Sequence, residues 1–593
     1  MFLINYMYKK LNLSQILLVF GISLLFVLET STLVFGQARG EQLKYKADRL
    51  RSAVAADGER FEKLITNVEL TQQGTIIYCD SAYFYRTRNA LEAFGRVRIL
   101  NLTDSVEITS RRLTYDGNDK MAKIRENVVY KDDSIVLRTE FLDYDMINRN
   151  AWYFNGGKIV DNVNTLTSKN GFYNTETREV NFDGDVVLVN PEYTMKSEDL
   201  KYNINTKIAN VTSPSTIIAE DGTVLMAEEG SEFQTDRKIS EFFLSEIDGL
   251  SYTIKGNRIS SDEMYKYYEA DGDVEMLGKT DDIFIYGDEA RYWQSTGITK
   301  VYGNVLMKKL VGLDTMYLTA DTLMSIDNET TEKTLLAYFN VRIYKTDLQG
   351  KADSLSYIAT DSTLYFYRDP VLWNDGSQIT ADSINVQMAN DQIDKLNTSS
   401  NSFIVSEDST GHYNQVKGRK MVAQFENSQI QKVDVNGNGE SIYFVLDEKT
   451  QEMMGMNKII CSNMLIQFLE SQVNAIYFYT NPDGTFIPPH ELKEAETLLQ
   501  GFKWRDDERP MIKSVIPEMY WSKLLNKTVD TTDPSEVIDG VEVESSEIDD
   551  KRELIESEET LEVEEELQEQ DLDLKIEEKE TEKAEEPKEE IQK

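Results

Sequence analysis

Cysteine and histidine are nearly missing from this chain. Its 593 residues hold two cysteines, Cys79 and Cys461, and two histidines, His412 and His490. Cysteines so far apart provide no disulfide framework and no zinc cluster. Two histidines nearly exclude a Ser-His-Asp site or a multi-histidine metal site. Ten prolines are few for a disordered chain of this length. No Gly-x-x-x-x-Gly-Lys-Ser/Thr occurs, so the chain has no phosphate cradle of that kind to draw energy from. Positive charge is also short. Lys and Arg number 63 against 104 Asp and Glu, a net of −41, which argues against nucleic acid as a partner.

The negative charge is uneven. Residues 535–593 hold 26 acids and 7 bases, a net of −19. The remaining 78 acids and 56 bases leave −22 for residues 1–534. From about Thr528 the chain is Glu-rich and has no aromatics. Such a composition buries too little surface to order itself, so a solvated tail is expected over 528–593. Its scattered Leu and Ile leave a partner-binding helix as the alternative.

The first 36 residues read as a secretory signal. Lys9 and Lys10 precede the apolar stretch Ile16–Leu28, and Val34-Phe35-Gly36 places small side chains before a cut at Gln37. Thirteen apolar residues are short for a membrane span. A retained anchor is the alternative. No second hydrophobic run follows, so the mature chain is not expected to cross a membrane as helices.

Between about residues 60 and 480, short runs rich in Val, Ile, Tyr, Phe and Thr alternate with polar residues, punctuated by Gly, Asn and Asp. These are strand signals. They repeat. Around a polar anchor stand an apolar residue at −3, a small one at −1, an apolar or small one at +2, and often Tyr at +4. Asp80 has Ile77, Cys79, Ala82 and Phe84; Arg111 has Ile108, Ser110, Leu113 and Tyr115. Glu140 has Leu137, Thr139, Leu142 and Tyr144, and Lys169 has Leu166, Ser168, Gly171 and Tyr173. Glu198 has Met195, Ser197, Leu200 and Tyr202. Further copies centre on Glu228, Asn257, Asp288, Asp321, Asp353, Asp382, Arg419 and Ser462. The first eight anchors are 29–31 residues apart; later spacings reach 37 and 43, as if insertions accumulate.

A second strand in each period opens with Gly or Asn near Val, as in Gly95-Arg96-Val97 and Gly303-Asn304-Val305. Inward positions change parity at the anchor. One extra residue there, a bulge or corner, would keep both halves facing one interior. If each repeat adds one strand to each of two sheets, thirteen repeats stack to roughly 60 Å. Every inward residue has a plain reading as core.

The copies Thr319-Ala320-Asp321-Thr322-Leu323, Lys351-Ala352-Asp353-Ser354-Leu355 and Thr380-Ala381-Asp382-Ser383-Ile384 resemble the OstA-like family. So does their alternation with strands such as Ala93-Phe94-Gly95-Arg96-Val97. The resemblance covers roughly residues 60–480, most strongly in the first half. That family includes the periplasmic bridge protein of lipopolysaccharide transport and the organic solvent tolerance-like N-terminal domain of the outer-membrane translocon. The resemblance implies an elongated slotted β-jellyroll whose groove carries acyl chains, and stacking of members strand edge on strand edge. The chain departs from the family by its length, its missing barrel domain, its helical segment and its acidic tail.

Other motifs have plainer readings. Asp434–Gly439 starts like a calcium loop, but the twelfth position is Val445 instead of the bidentate Glu such a loop needs. A Gly/Asn turn between strands is expected there. Carboxylate pairs such as Asp281-Asp282 could serve a glycosidase, yet 104 acids supply such pairs by chance. Cys79 and Cys461 stand at the small −1 position, as corner residues rather than nucleophiles. Leu492, Ala495, Leu498, Leu499 and Phe502 have helical spacing over His490–Phe502. A helix there would cap the last sheet edge or dock a partner.

The expected organisation is a signal over 1–36, a lead-in over 37–59, strong OstA-like repeats over 60–310, and repeats with insertions over 311–488. A helical cap over 489–527 and the acidic tail follow. The expected function is lipopolysaccharide binding and transport across the periplasm, contributing to outer-membrane assembly, without catalysis or a cofactor. The lining residues would be Ile77, Ala82, Phe84, Ile108, Leu113, Tyr115, Leu137, Leu142, Tyr144, Leu166, Tyr173, Met195, Leu200 and Tyr202. Expected partners are lipopolysaccharide or a similar lipid, envelope transport components joined by edge-strand pairing, and further copies of the chain end to end. The expected location is the periplasm, including association with the outer membrane. A filled β-solenoid scaffold for structure or adhesion is the alternative. A polysaccharide-acting β-solenoid enzyme is the remaining one, and no catalytic constellation supports it.

Overall fold

The computed structural model describes residues 44–527, apart from connecting segments of one to four residues. The signal and the acidic tail lie outside the described residues. Contact density divides the chain into residues 1–521 and 522–593, and the β architecture belongs to the first of these units. Among the described residues thirty-six strands, numbered β1–β36 in chain order, form one continuous antiparallel ladder. The long strands bend at their midpoints, so their halves build two facing layers. Sheet 1 begins at β2 (Arg49–Val54), paired to the first half of β3 (Arg60–Gln72). Sheet 2 begins at β1 (Lys44–Lys46), paired to the second half of the same strand. At the far end β34 (Met453–Leu469) carries β35 (Gln472–Tyr479) on sheet 1 and β36 (Asp483–Ile487) on sheet 2. The described part of the lead-in thus already carries strands, β1 and β2.

The midpoint bends are the sequence anchors. Pairing slips by one residue between Tyr78/Ser81 on one strand and Phe94/Arg98 on the next, and equivalent slips recur through the array to Asn436/Gly439. This is the parity change expected of a bulge. The Gly-x-Val and Asn-Val motifs do not open strands, as their sequence suggested. They lie inside strands, at the bend. Backbone φ is positive at Glu126 and Asn127, at Ser400 and Asn401, and at Gly303 (+68°) with Asn304 (+42°). Glycine and asparagine tolerate that region best, which explains their recurrence. At Gly303 space matters too, since a Cβ would lie 2.3 Å from an Asp288 carboxylate oxygen. The calcium-like Asp434–Gly439 is another such bend, within one strand rather than between two.

The polar anchor reaches the bend of its neighbour. Asp80 receives Arg96 at 2.8 Å, while Asp288, Asp321 and Asp382 receive the side-chain amides of Asn304, Asn340 and Asn401. The small −1 residue has its own task. Hydroxyls of Ser110, Thr139, Ser168 and Ser197 donate to the carbonyl two residues ahead, at 2.9–3.4 Å. Each supplies a carbonyl displaced from the ladder with a donor. Cys79 and Cys461 occupy the same place and are buried. Burial pushes the Cys79 thiol up to about 11, so it stays protonated at neutral pH.

Two expectations change. Every long strand crosses both sheets, so each repeat adds two rows to each sheet and advances the array by about 9.6 Å, twice the expected rise. The longer C-terminal spacings are also not loops. Strands of 11–12 residues near the start give way to 16, 14, 18 and 17 residues over Gln392–Glu407, Tyr413–Glu426, Gln429–Leu446 and β34.

The expected short C-terminal helix is present as Trp521–Lys527, but His490–Phe502 and the residues up to Tyr520 do not form the helix that their spacing predicts. Only 3₁₀ turns at Pro489–Glu491, Glu494–Glu496, Asp506–Glu508 and Glu518–Tyr520 and one helical turn, Ile512–Val515, appear. Nor do they cap a sheet edge. They form a strap that runs back along the outer face of sheet 2, from Met456 to Tyr286. Leu499 packs with Phe403, Val405, Ile442, Phe444 and Met456 in a cluster separate from the interior. Tertiary contacts override local periodicity here.

Arg505 makes two 2.9 Å bonds to Asp369 and also holds Glu508, which Lys351 reaches as well. The two cations hold the Glu508 carboxyl down at about 2, against an ordinary 4.5. A lowered folded-state value stabilises docking above pH 4.5, and that contribution fades as pH falls from 4.5 towards 2. The protection of strap amides relative to their intrinsic exchange rates is therefore expected to fall across that window. Glu508→Gln should flatten the response. An unchanged acid response in the variant would remove the role given to Glu508.

Candidate functional site: the apolar interior

Strand alternation turns one row of each half-strand towards the opposite sheet. The inward rows form a single apolar cluster from Leu64 to Ile466. All fourteen residues expected to line a groove belong to it. Ala82, Ile108, Leu113, Leu137, Leu142, Tyr144, Leu166, Tyr173, Met195, Leu200 and Tyr202 are buried. Ile77, Phe84 and Tyr115 are partly buried against them.

Over these residues the two sheets touch. Ala82 and Leu166 are 0% exposed and Leu200 is 1% exposed. Burial pushes the phenols of Tyr115, Tyr144, Tyr173 and Tyr202 upward, so they are neutral at every physiological pH. Tyr153 bridges the layers. Its ring rests on Gly157 and Gly171, and its hydroxyl shares a 2.6 Å hydrogen bond with Ser168. Burial raises this phenol to about 12. No motif pointed to Tyr153. The only signal was an aromatic residue between two glycines, legible once the register is known.

The sheets part further along. A cavity of about 120 Å³ lies between them near the C-terminal end, lined by Ile379, Leu396, Ile404, Val416, Ala423 and Val433. Thr398 and Ser441 add hydroxyls to its wall. Larger clefts lie outside, along the bends; one is lined by Arg96, Arg98, Arg111 and Arg112. The two end edges differ. β2 carries Arg49 and Arg51, whereas β35 has no charged residue and exposes Val473, Tyr477 and Tyr479. Among the described residues no helix is long and apolar enough to cross a membrane.

A model of the OstA-like protein family matches residues 43–198. The sequence resemblance is borne out over that span, which holds all fourteen lining residues except those beyond Glu198, Leu200 and Tyr202. Among solved structures, the chain is similar to LptH of Pseudomonas aeruginosa, described as the LptA-homologous periplasmic component of the conserved lipopolysaccharide transport device. The two are 14% identical; the alignment covers 23% of this chain and 82% of that one, with a TM-score of 0.13. No curated protein matches the chain.

Proposed function

We propose that this chain binds lipopolysaccharide, or a lipid of the same build, between its two sheets and passes it along the periplasm towards the outer membrane. The unbroken apolar interior from Leu64 to Ile466 carries this reading. The OstA-like match over 43–198 supports it. An acyl chain gains about 0.8 kcal/mol per buried CH₂. Entering between the sheets, it would replace side chain–side chain contacts with side chain–lipid contacts of similar buried area. Movement from one repeat to the next then changes little in energy, and the driving force comes from elsewhere. No chemical step is involved. The cavity near Ile404 is where such an opening has the least packing to undo.

A filled scaffold is the second reading, and one observation favours it: the proposed lining is closed, with Ala82, Leu166 and Leu200 at 0–1% exposure. The uncharged edge of β35 suits pairing with a transport partner or with the basic first edge of another copy.

Photo-crosslinking side chains at Leu142, Leu200 and Tyr477 in cells separate these readings. Lipopolysaccharide adducts are expected at the two interior positions, and protein adducts at Tyr477. Interior positions that never capture lipid would overturn the conduit and leave the scaffold. No protein adduct at Tyr477 would remove edge pairing there.

A further inference from the structure

The outer face of sheet 2 holds a peptide segment at two points, on either side of a turn at Gln500-Gly501. Two buried glutamines carry the recognition. Gln415 donates its amide to the Thr497 carbonyl at 2.8 Å and accepts from the Leu499 N–H at 2.8 Å. Gln378 does the same six residues on, donating to the Lys503 carbonyl at 2.7 Å and accepting from the Arg505 N–H at 2.7 Å. Each side-chain amide thus offers the strap what a neighbouring β-strand would offer, one donor and one acceptor spaced for alternate residues. Both glutamines are almost fully buried, at 0% and 1% exposure. Buried amides cost stability unless both ends are satisfied, and here the strap satisfies them.

Side chains between these clamps read the peptide's sequence. Leu499 enters the pocket of Phe403, Val405, Ile442, Phe444 and Met456. Phe502 and Trp504 each lie 5.2 Å from the Tyr413 ring. Arg505 and Glu508 pair with Asp369 and Lys351. Arg509 donates to the amide oxygen of Gln349.

The fit is incomplete. The indole N–H of Trp373 is buried on this face without a hydrogen-bond partner, and so is the Tyr520 hydroxyl of the strap. Trp373 pairs in register with Gln349, so it points to the strap side of sheet 2, away from the interior.

We infer that this face is a binding site for peptides of the pattern Leu-x-x-Phe-x-Trp-Arg-x-x-Glu that turn at Gln500-Gly501, filled in this chain by its own residues 497–508. The strap is a docked ligand joined to the array by its linker, not a layer of the core.

A full-length chain with a protease recognition sequence inserted between Pro488 and Pro489 tests this. After cutting, the released C-terminal fragment should stay bound through gel filtration. A labelled synthetic peptide of residues 495–510, in excess, should then replace it. Gln378→Ala with Gln415→Ala should speed that replacement about ten-fold, since each lost clamp strands backbone groups of the peptide. A fragment that separates on cutting, or one that labelled peptide never replaces, would overturn the inference. If the cut protein does not stay folded, hydrogen exchange on the uncut chain decides. Faster exchange confined to 497–508 in the double variant supports the site, and unchanged exchange there refutes it.

Discussion

Leu200→Arg is expected to open the array locally, at a cost of about 4 kcal/mol, and to abolish any lipid capture in the repeats around it. Leu200 is 1% exposed and faces the opposite sheet. A guanidinium there would replace an aliphatic side chain packed into the apolar cluster. An unpaired buried charge is among the few single changes that cost so much. Repeat arrays contact only their neighbours, so damage should stay near Tyr193–Asn203 and the strands beside it. Hydrogen exchange should show fast amides in that region and unchanged ones at Val433 and Ile466. Lys201→Arg is the control. Lys201 is exposed on the opposite side of the same strand, and the change should stay within about 0.5 kcal/mol. Loss of lipid adducts at Leu142 in Leu200→Arg would show that one repeat can interrupt the path. Retained adducts at Leu142 would mean that lipid enters each repeat independently.

Gly171→Val should cost about 3 kcal/mol, read as a fall in the unfolding midpoint. A Cβ at Gly171 would lie 2.1 Å from the Tyr153 ring, and a Cβ at Gly157 would lie 2.3 Å from another edge of that ring. Pressed from both sheets, the ring has nowhere to turn. The side chain must leave the interior or drive the sheets apart, and either outcome breaks the bond to Ser168. Tyr153→Leu in the same molecule should recover a large part of the loss, because the two positions share one contact. Additive effects would show that Tyr153 does not hold the layers together. Tyr153→Phe alone should cost about 1 kcal/mol, the worth of one hydrogen bond.

Much of this architecture is legible in the sequence alone. The parity change at Asp80, Arg111 and Glu140 identifies the inward set, because one face of each half-strand must be apolar and the pattern says which. The small residue at −1 is also visible, though its hydroxyl's bond to the carbonyl at +1 is not. What stays hidden depends on register. Gly95-Arg96-Val97 looks like a strand opening, since a left-handed pair is as common at a turn as at a mid-strand bend. That one confusion halves the rise per repeat. The strap misleads for a different reason. Leu492, Leu498 and Phe502 have helical spacing, but Gln378 and Gln415, over eighty residues away in the case of Thr497, decide the backbone. Locally only Gly501, which turns the chain at a φ of +93°, works against the helix. Tyr153 escapes notice because its role needs Gly157 and Gly171 on neighbouring strands.

The strap also determines how the fold meets tension. Without it, a pull on the chain beyond Trp521 would reach β36 directly, at the end of the ladder. With it, the load arrives beside Tyr286, in the middle of the array, and is directed along the outer face of sheet 2. Contacts then part in turn, first Tyr520 from Tyr286, then Arg342 from Ser514, then the ion pairs of Glu508 and Arg505, and last Leu499. These contacts lie one after another along the strap, so they are loaded in series rather than together. Residues 489–520 thus place the point where the chain leaves the array beside its middle rather than at its last strand.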